Sequence, residues 1–239
     1  LTISATVIAD SIDTSGKRIT TFQLRYPRFI HAEFMTHRVF SRNAGSSRAI
    51  PVERSIQEIE QEIAKPVFWG QNRPGMQAVD EMSPEIQKIA ENTWRSAAIH
   101  AVRHARTLIK MNAHKQIINR ILEPFLHINV VVTATEWENF WGLRMHADAA
   151  PEIQALAKAM YAAQQASTPQ LLKSGWHLPY FIPDQDDKAI DDFMTFQYGP
   201  RDPVHGWYME DVTLERLRLQ ISVARCARVS YKAFDGTVS

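Results

Sequence analysis

The sequence predicts an α+β fold, a sheet with a large helical part. Two leading β-rich stretches around a turn signal open the chain, and apolar residues at helical spacing then dominate. Thr2 to Ala9 is rich in β-branched residues, Ser15-Gly16 marks a turn, and Arg18 to Tyr26 alternates loosely through Ile19, Phe22 and Leu24. Together these residues predict a hairpin.

The helices follow in order. Phe29 to His37, after Pro27, carries Ile30, Phe34 and His37 on one face. Val52 to Ile63 places Ile56, Ile59 and Ile63 at helical spacing. Ser83-Pro84-Glu85 reads as an N-cap with proline in the first helical position, opening a long helix that runs to about Met111. Ala113 to Leu122 and Leu126 to Thr135 read as two further helical segments separated by Pro124. Glu136 to Met145 and Pro151 to Gln165 continue the helical run, and Ser167 to Leu172 is a short helix or turn. Gly175 to Gly206, rich in aromatics and prolines, reads as ordered loop with short pieces of structure. Leu214 to Val229 is helical again. The whole of 1–239 is expected to form a single domain, with 175–210 as an insertion.

Composition narrows the function. An apolar fraction of 45% and a net charge of +1 are those of an ordinary globular chain and argue against a broad nucleic-acid surface. No apolar run approaches the ~18 residues of a membrane span. The lone Cys226 leaves no intrachain disulfide and no cysteine zinc site, so a reducing, cytoplasmic setting is the simplest expectation. His100 and His104 stand four apart without a third ligand nearby, and no metal site is expected.

The most informative stretch is Thr36-His37-Arg38-Val39-Phe40-Ser41-Arg42-Asn43-Ala44-Gly45-Ser46-Ser47-Arg48. It is polar, carries arginines, hydroxyls and a glycine, and suits an anion held by side chains and backbone amides. A surface loop with salt-bridged arginines is the alternative. Arg120 and Arg144 both lie in helical runs that read as buried, where an arginine needs a partner. That partner is either a ligand or a carboxylate such as Glu123 or Glu152. Ser46 has no obvious neighbouring base, so a hydrolase triad is not supported.

These residues resemble the flavin-dependent thymidylate synthases. That family's signature reads Arg-His-Arg, two variable residues, Ser, one variable, Asn-Glu, one variable, Ser-Gly-Arg-Tyr. His37, Arg38, Ser41, Asn43, Ser46 and Arg48 match it, while Thr36, Ala44, Ser47 and Ala49 depart from it. Asn119 to Pro124 and Asn139 to Arg144 resemble two further family blocks. Arg225-Cys226-Ala227-Arg228-Val229-Ser230-Tyr231 resembles a block that family members carry near the amino terminus, so a circular permutation is expected, with that block displaced to 221–239. The chain stops where the family's next flavin-holding segment would begin, and a longer parent protein is expected.

The resemblance implies a shared-site homotetramer of cytoplasmic location, or host-cytoplasmic if phage-encoded. It implies FAD as cofactor, methylenetetrahydrofolate and NADPH as co-substrates, and conversion of deoxyuridylate to thymidylate. Glu33, Ser46, Ser47, Arg48, Arg120 and Arg144 would hold the nucleotide, with Arg120 reaching across from a neighbouring subunit. Arg144 and Ser46 are the implied catalytic residues. His37, Arg38, Asn43, Asn139, Leu143 and Ser230 would contact the flavin, and Asp148 stands where the family usually has His. Two alternatives keep the fold. One methylates or hydroxymethylates deoxyuridylate or deoxycytidylate; the other is a nucleotide-binding homologue without flavin.

Overall fold

The computed structural model describes residues 3–200 and 213–229. The predicted hairpin is present. β1 (Ser4–Asp13) and β2 (Arg18–Pro27) pair antiparallel. Asp13 fixes the turn between them by accepting the N–H groups of Ser15 and Lys17. β3 (Ser41–Ala44), β4 (His127–Ala134) and β5 (Gln170–Leu172) complete a five-stranded sheet in the order β3-β4-β2-β1-β5. It is antiparallel except where β5 runs parallel to β1.

Three expectations are corrected here. Leu126 to Thr135 is not helical but supplies β4, a central strand between β2 and β3. Both faces of that strand are covered, so Val130, Val131 and Val132 form a continuous apolar run that mimics a buried helix in sequence. Ser167 to Leu172 contributes β5 rather than a helix or turn, because it lies along the β1 edge. The aromatic and proline-rich stretch contains a 16-residue helix, α7 (Pro183–Tyr198), with proline in the first turn.

The other helices fall where periodicity places them. α1 (His31–Phe34) is shorter than expected and follows a 3-10 turn over Arg28–Ile30. α2 (Val52–Gln61), α3 (Pro84–Lys110) and α4 (Lys115–Leu122) pack Ile56, Ile59, Val102, Ala105, Ile118 and Leu122 into one apolar cluster. The Ser83 side chain accepts the Ile86 N–H and caps α3 as predicted. A second 3-10 turn over Glu123–Phe125 leads from α4 into β4. α5 (Glu138–Arg144), α6 (Pro151–Ala166) and α8 (Leu214–Arg228) complete the described elements.

The two sheet faces differ in chemistry. Phe22, Leu24, Tyr26, Val130 and Val132 point to one face, where Phe34, Phe140, Ile153, Leu156 and Met160 cover them. Burial of these side chains stabilises the fold at about 25 cal/mol per Å² of apolar surface. The opposite face presents Thr21, Gln23 and Thr133, and it is covered by residues 177–180 and α8. His177 bridges Ser11 and Thr21 there at 2.9 and 2.8 Å, the Tyr180 hydroxyl donates to Gln23 at 2.8 Å, and Val229 packs on Val131. No helix among the described residues is long and apolar enough to cross a membrane.

Candidate active site

α5 positions the central residue. Phe140 is buried, and Arg144 lies one helical turn further on the same face. The Arg144 guanidinium meets three side chains, Glu33 from α1 and Thr36 and His37 from the segment just after it. Its Nε–H donates to His37 Nε2 at 2.8 Å and Nη2 to the Thr36 hydroxyl at 3.3 Å, while Nη1 forms an ion pair with Glu33. Neither of the carboxylates proposed as partners of Arg144 fills that role. Glu152 is buried and accepts the Val67 N–H at 2.9 Å, and Glu123 lies beside Arg28, Ser47 and Arg120.

His37 is 7% exposed, with its ring against Phe40 and edge-on to Phe140 at 4.8 Å. Burial first, then the charges of Arg144 and Arg42, hold its pKa below the usual histidine value. A neutral ring with Nε2 as acceptor places its proton on Nδ1. Arg42 fixes the turn by donating to the carbonyls of Met35, His37 and Phe40. Sequence reasoning did not single out Arg42 as a clamp; its place between two signature residues was the available signal.

Arg144 and Glu33 line a cleft of about 480 Å³. Its far wall is an excursion between α2 and α3 that contributes Phe68, Gly70 and Met76, and the start of α6 adds Ala150 and Pro151. The excursion closes on itself through Gln71 N–H to the Asp80 carbonyl and Met82 N–H to the Trp69 carbonyl, both 2.8 Å. The sequence marks Pro66 to Met76 as a loop carrying Phe68, Trp69 and Gly70, but none of these wall residues was among the expected site residues.

The anion-loop candidates gather elsewhere. Gly45 N–H joins the Asn129 carbonyl at 2.8 Å, which places Ser46 to Arg48 beyond the far end of β3 from Arg144. Ser47 is buried and donates its hydroxyl to Glu123 at 2.5 Å. Asn119 donates to the carbonyls of Ser47 and Ile50. Arg120 is largely exposed and lies 3.5 Å from Glu123, as the carboxylate alternative had it. Arg48 is exposed, and Ser46 is half-buried with its carbonyl accepting from Ala49.

The residues assigned to the flavin divide into two groups. Arg38 lies exposed in the turn after His37, and Asn139 and Leu143 lie exposed on α5. Asn43 is engaged within the protein, donating to the carbonyls of Cys226 and Ala227 at the end of α8. Through that contact the displaced block packs beside β3. Arg225 of the same block binds Asp186 with both terminal nitrogens, at 2.6 and 2.7 Å. Ser230 lies outside the described residues. Asp148 is exposed, 3.5 Å from His146. His100 and His104 are exposed on α3.

The family model described as "Thymidylate synthase complementing protein" matches residues 18–170. No curated protein matches the chain. Among solved structures, the UMP/dUMP methylase PolB from Streptomyces cacaoi bound with 5-Br dUMP is similar at a TM-score of 0.53 and 17% identity, covering 68% of this chain and 89% of that one. The same protein bound with 5-Br UMP gives 0.54 and 19%, covering 68% and 88%. Thymidylate synthase X from Helicobacter pylori with FAD and dUMP gives 0.42 and 16%, covering 61% and 67%. The PolB likeness is one of fold. The family match spans most of the sheet and the residues around Arg144, and on that ground the chain belongs to the thymidylate synthase complementing protein family and is an enzyme of methyltransferase type.

Proposed function

We propose that the chain transfers a one-carbon unit to C5 of deoxyuridylate and yields thymidylate, with FAD as cofactor and methylenetetrahydrofolate and NADPH as co-substrates. The observation that carries this reading is Arg144, fixed by Glu33, Thr36 and His37 at the wall of a cleft of about 480 Å³. Membership of the family and the nucleotides named for PolB support a pyrimidine nucleotide as the ligand.

Arg144 binds and polarises the pyrimidine edge. Three of its five N–H groups are used within the protein, so the guanidinium is oriented before the nucleotide arrives. Ser46, Arg48 and Arg120 are the surface groups suited to a phosphate, while Ser47 shapes the loop from within through Glu123. Ser46 has no base beside it and serves as a backbone and hydroxyl donor rather than a nucleophile. The exposed amide of Asn139, the apolar face of Leu143 and the Arg38 guanidinium suit a flat, hydrogen-bonding ring system. A bound reduced flavin would supply the electrons that convert the carried carbon to methyl.

The phosphate loop and Arg144 lie at opposite ends of β3, separated by about 13 Å of strand. That separation supports a reading in which base and phosphate contacts at one site are supplied by different copies of the chain, as in a shared-site homotetramer. Light scattering of the purified protein tests this, and a monomer contradicts it.

Incubation with deoxyuridylate, methylenetetrahydrofolate and NADPH, followed by mass analysis, should show a gain of one methyl group. A hydroxymethyl product, or modification of deoxycytidylate instead, would replace this reading. A colourless protein that cannot be reconstituted with FAD would sink it.

A further inference from the structure

The position of Glu33 carries a conclusion beyond binding, one that rests on a pyrimidine being seated at Arg144. We propose that Glu33 is a catalytic residue that accepts the N3–H of the uracil ring. A carboxylate is an acceptor only, whereas an amide such as glutamine offers both a donor and an acceptor. Glu33 Oε1 pairs with Arg144, and no hydrogen bond to Oε2 is seen among the described residues. Both side chains line the same cleft and are only 30% and 20% exposed, so they face the ligand space more than bulk water.

Arg144 keeps two N–H groups beyond those given to Glu33, Thr36 and His37. The cleft wall thus presents a donor and an acceptor side by side, in contact with each other. A uracil edge presents the complement, an imide N–H beside a carbonyl. Arg144 takes the carbonyl, and the free oxygen of Glu33 takes the N–H. Arg144 sits against the carboxylate as its counter-charge, so the pair enters the site without an isolated buried charge. An N3–H held on a carboxylate raises electron density in the ring, whose nucleophilic carbon is C5. No net proton transfer is required.

The test compares the full-length wild-type enzyme with Glu33→Gln and Glu33→Ala, each checked by thermal melting. Calorimetry measures binding of deoxyuridylate, N3-methyldeoxyuridylate and deoxycytidylate, and turnover is followed with deoxyuridylate. N3-methylation should weaken wild-type binding about tenfold or more. Glu33→Gln should bind deoxyuridylate within about threefold of wild type and turn over at least about tenfold more slowly, because the amide is a weaker acceptor than the carboxylate. Glu33→Ala should lose both. Equal binding of the N3-methyl compound, or full turnover by Glu33→Gln, overturns the proposal. Tighter wild-type binding of deoxycytidylate, shifted toward deoxyuridylate in Glu33→Gln, also overturns it, by showing that the carboxylate reads an amino group. If the wild type binds none of these nucleotides, the seat at Arg144 falls and the proposal falls with it.

Discussion

Arg144 donates its Nε–H to Nε2 of His37 across 2.8 Å, and His37 is itself locked between Phe40 and Phe140. The side chain that the resemblance gives to the flavin thus also orients an arginine. His37→Ala should lower nucleotide affinity and turnover by about tenfold or more, and His37→Gln, which can offer an acceptor near the Nε2 position, should restore much of the loss. In the wild type, nucleotide binding should weaken as pH falls through the lowered pKa of His37, because protonation removes the acceptor and places a charge beside Arg144. Calorimetric titrations at several pH values check this. A pH profile unchanged in His37→Gln would assign the titration elsewhere.

The cleft wall offers an independent handle at Gly70. A Cβ added there would lie 2.2 Å from the Cβ of Ala78, within the excursion between α2 and α3. Gly70→Ala should push the two arms of that excursion apart at a cost of about 1–3 kcal/mol. Since the excursion is tied to the rest of the protein through Val67 and Glu152, the loss should be local. Nucleotide affinity should fall and the melting temperature should drop by several degrees with the secondary-structure content unchanged, which calorimetry and circular dichroism can check.

Three histidines, His127 buried and His31 and His177 half-buried, set an acid limit on stability. Burial, aided by nearby arginines for His31 and His127, pushes the pKa of His31, His127 and His177 down to about 4. Between pH 6.5 and about 4 the unfolded chain therefore binds protons that the folded chain refuses, and stability declines as pH falls through that window. The melting temperature should drop by several degrees from pH 7 to pH 4.5. His177→Gln should flatten part of that slope, and an unaltered slope would remove His177 from the account.

Asp186 acts at lower pH. Burial raises its pKa, but hydrogen bonds from Arg225 and the Ile182 N–H, together with the Arg225 charge, leave it below the usual value of 3.8. Its contribution is complete above that value and is lost as pH falls from 3.8 through the lowered pKa. Asp186→Asn at neutral pH should cost about 3 kcal/mol, because Arg225 is only 12% exposed and loses its carboxylate. Urea titration measures this, and protection of α8 amides from hydrogen exchange should fall with it.

Much of this molecule is legible from residue order. The hairpin, the capped start of α3 and the amphipathic helices follow from local rules, because turn residues, caps and spacing act within a few positions. β4 was illegible for the opposite reason: its Val-Val-Val run is compatible with either element, and only its neighbours β2 and β3 decide. At the site, the family resemblance picked out His37 through the signature, Arg144 through the Asn139 to Arg144 block and Glu33 as a nucleotide contact, each separately. That Arg144 touches both of the others depends on α5 packing across more than 100 residues of chain, which no local pattern encodes. Thr36, noted only as a departure from the family pattern, proves to be a fourth member of the cluster.

The polar face of the sheet has a thermodynamic consequence. Among the described residues, its cover, residues 177–180 with α8, is attached by hydroxyl, imidazole and amide hydrogen bonds and a small apolar contact rather than by a broad greasy interface. Such an attachment contributes little to the heat-capacity change of unfolding, since that quantity tracks apolar area. The cover is thus the part of the molecule suited to detach as a unit ahead of global unfolding. Asn43, the residue pinning α8 to the edge strand, would then act as the latch between an intact sheet and a reversible, partly opened native state.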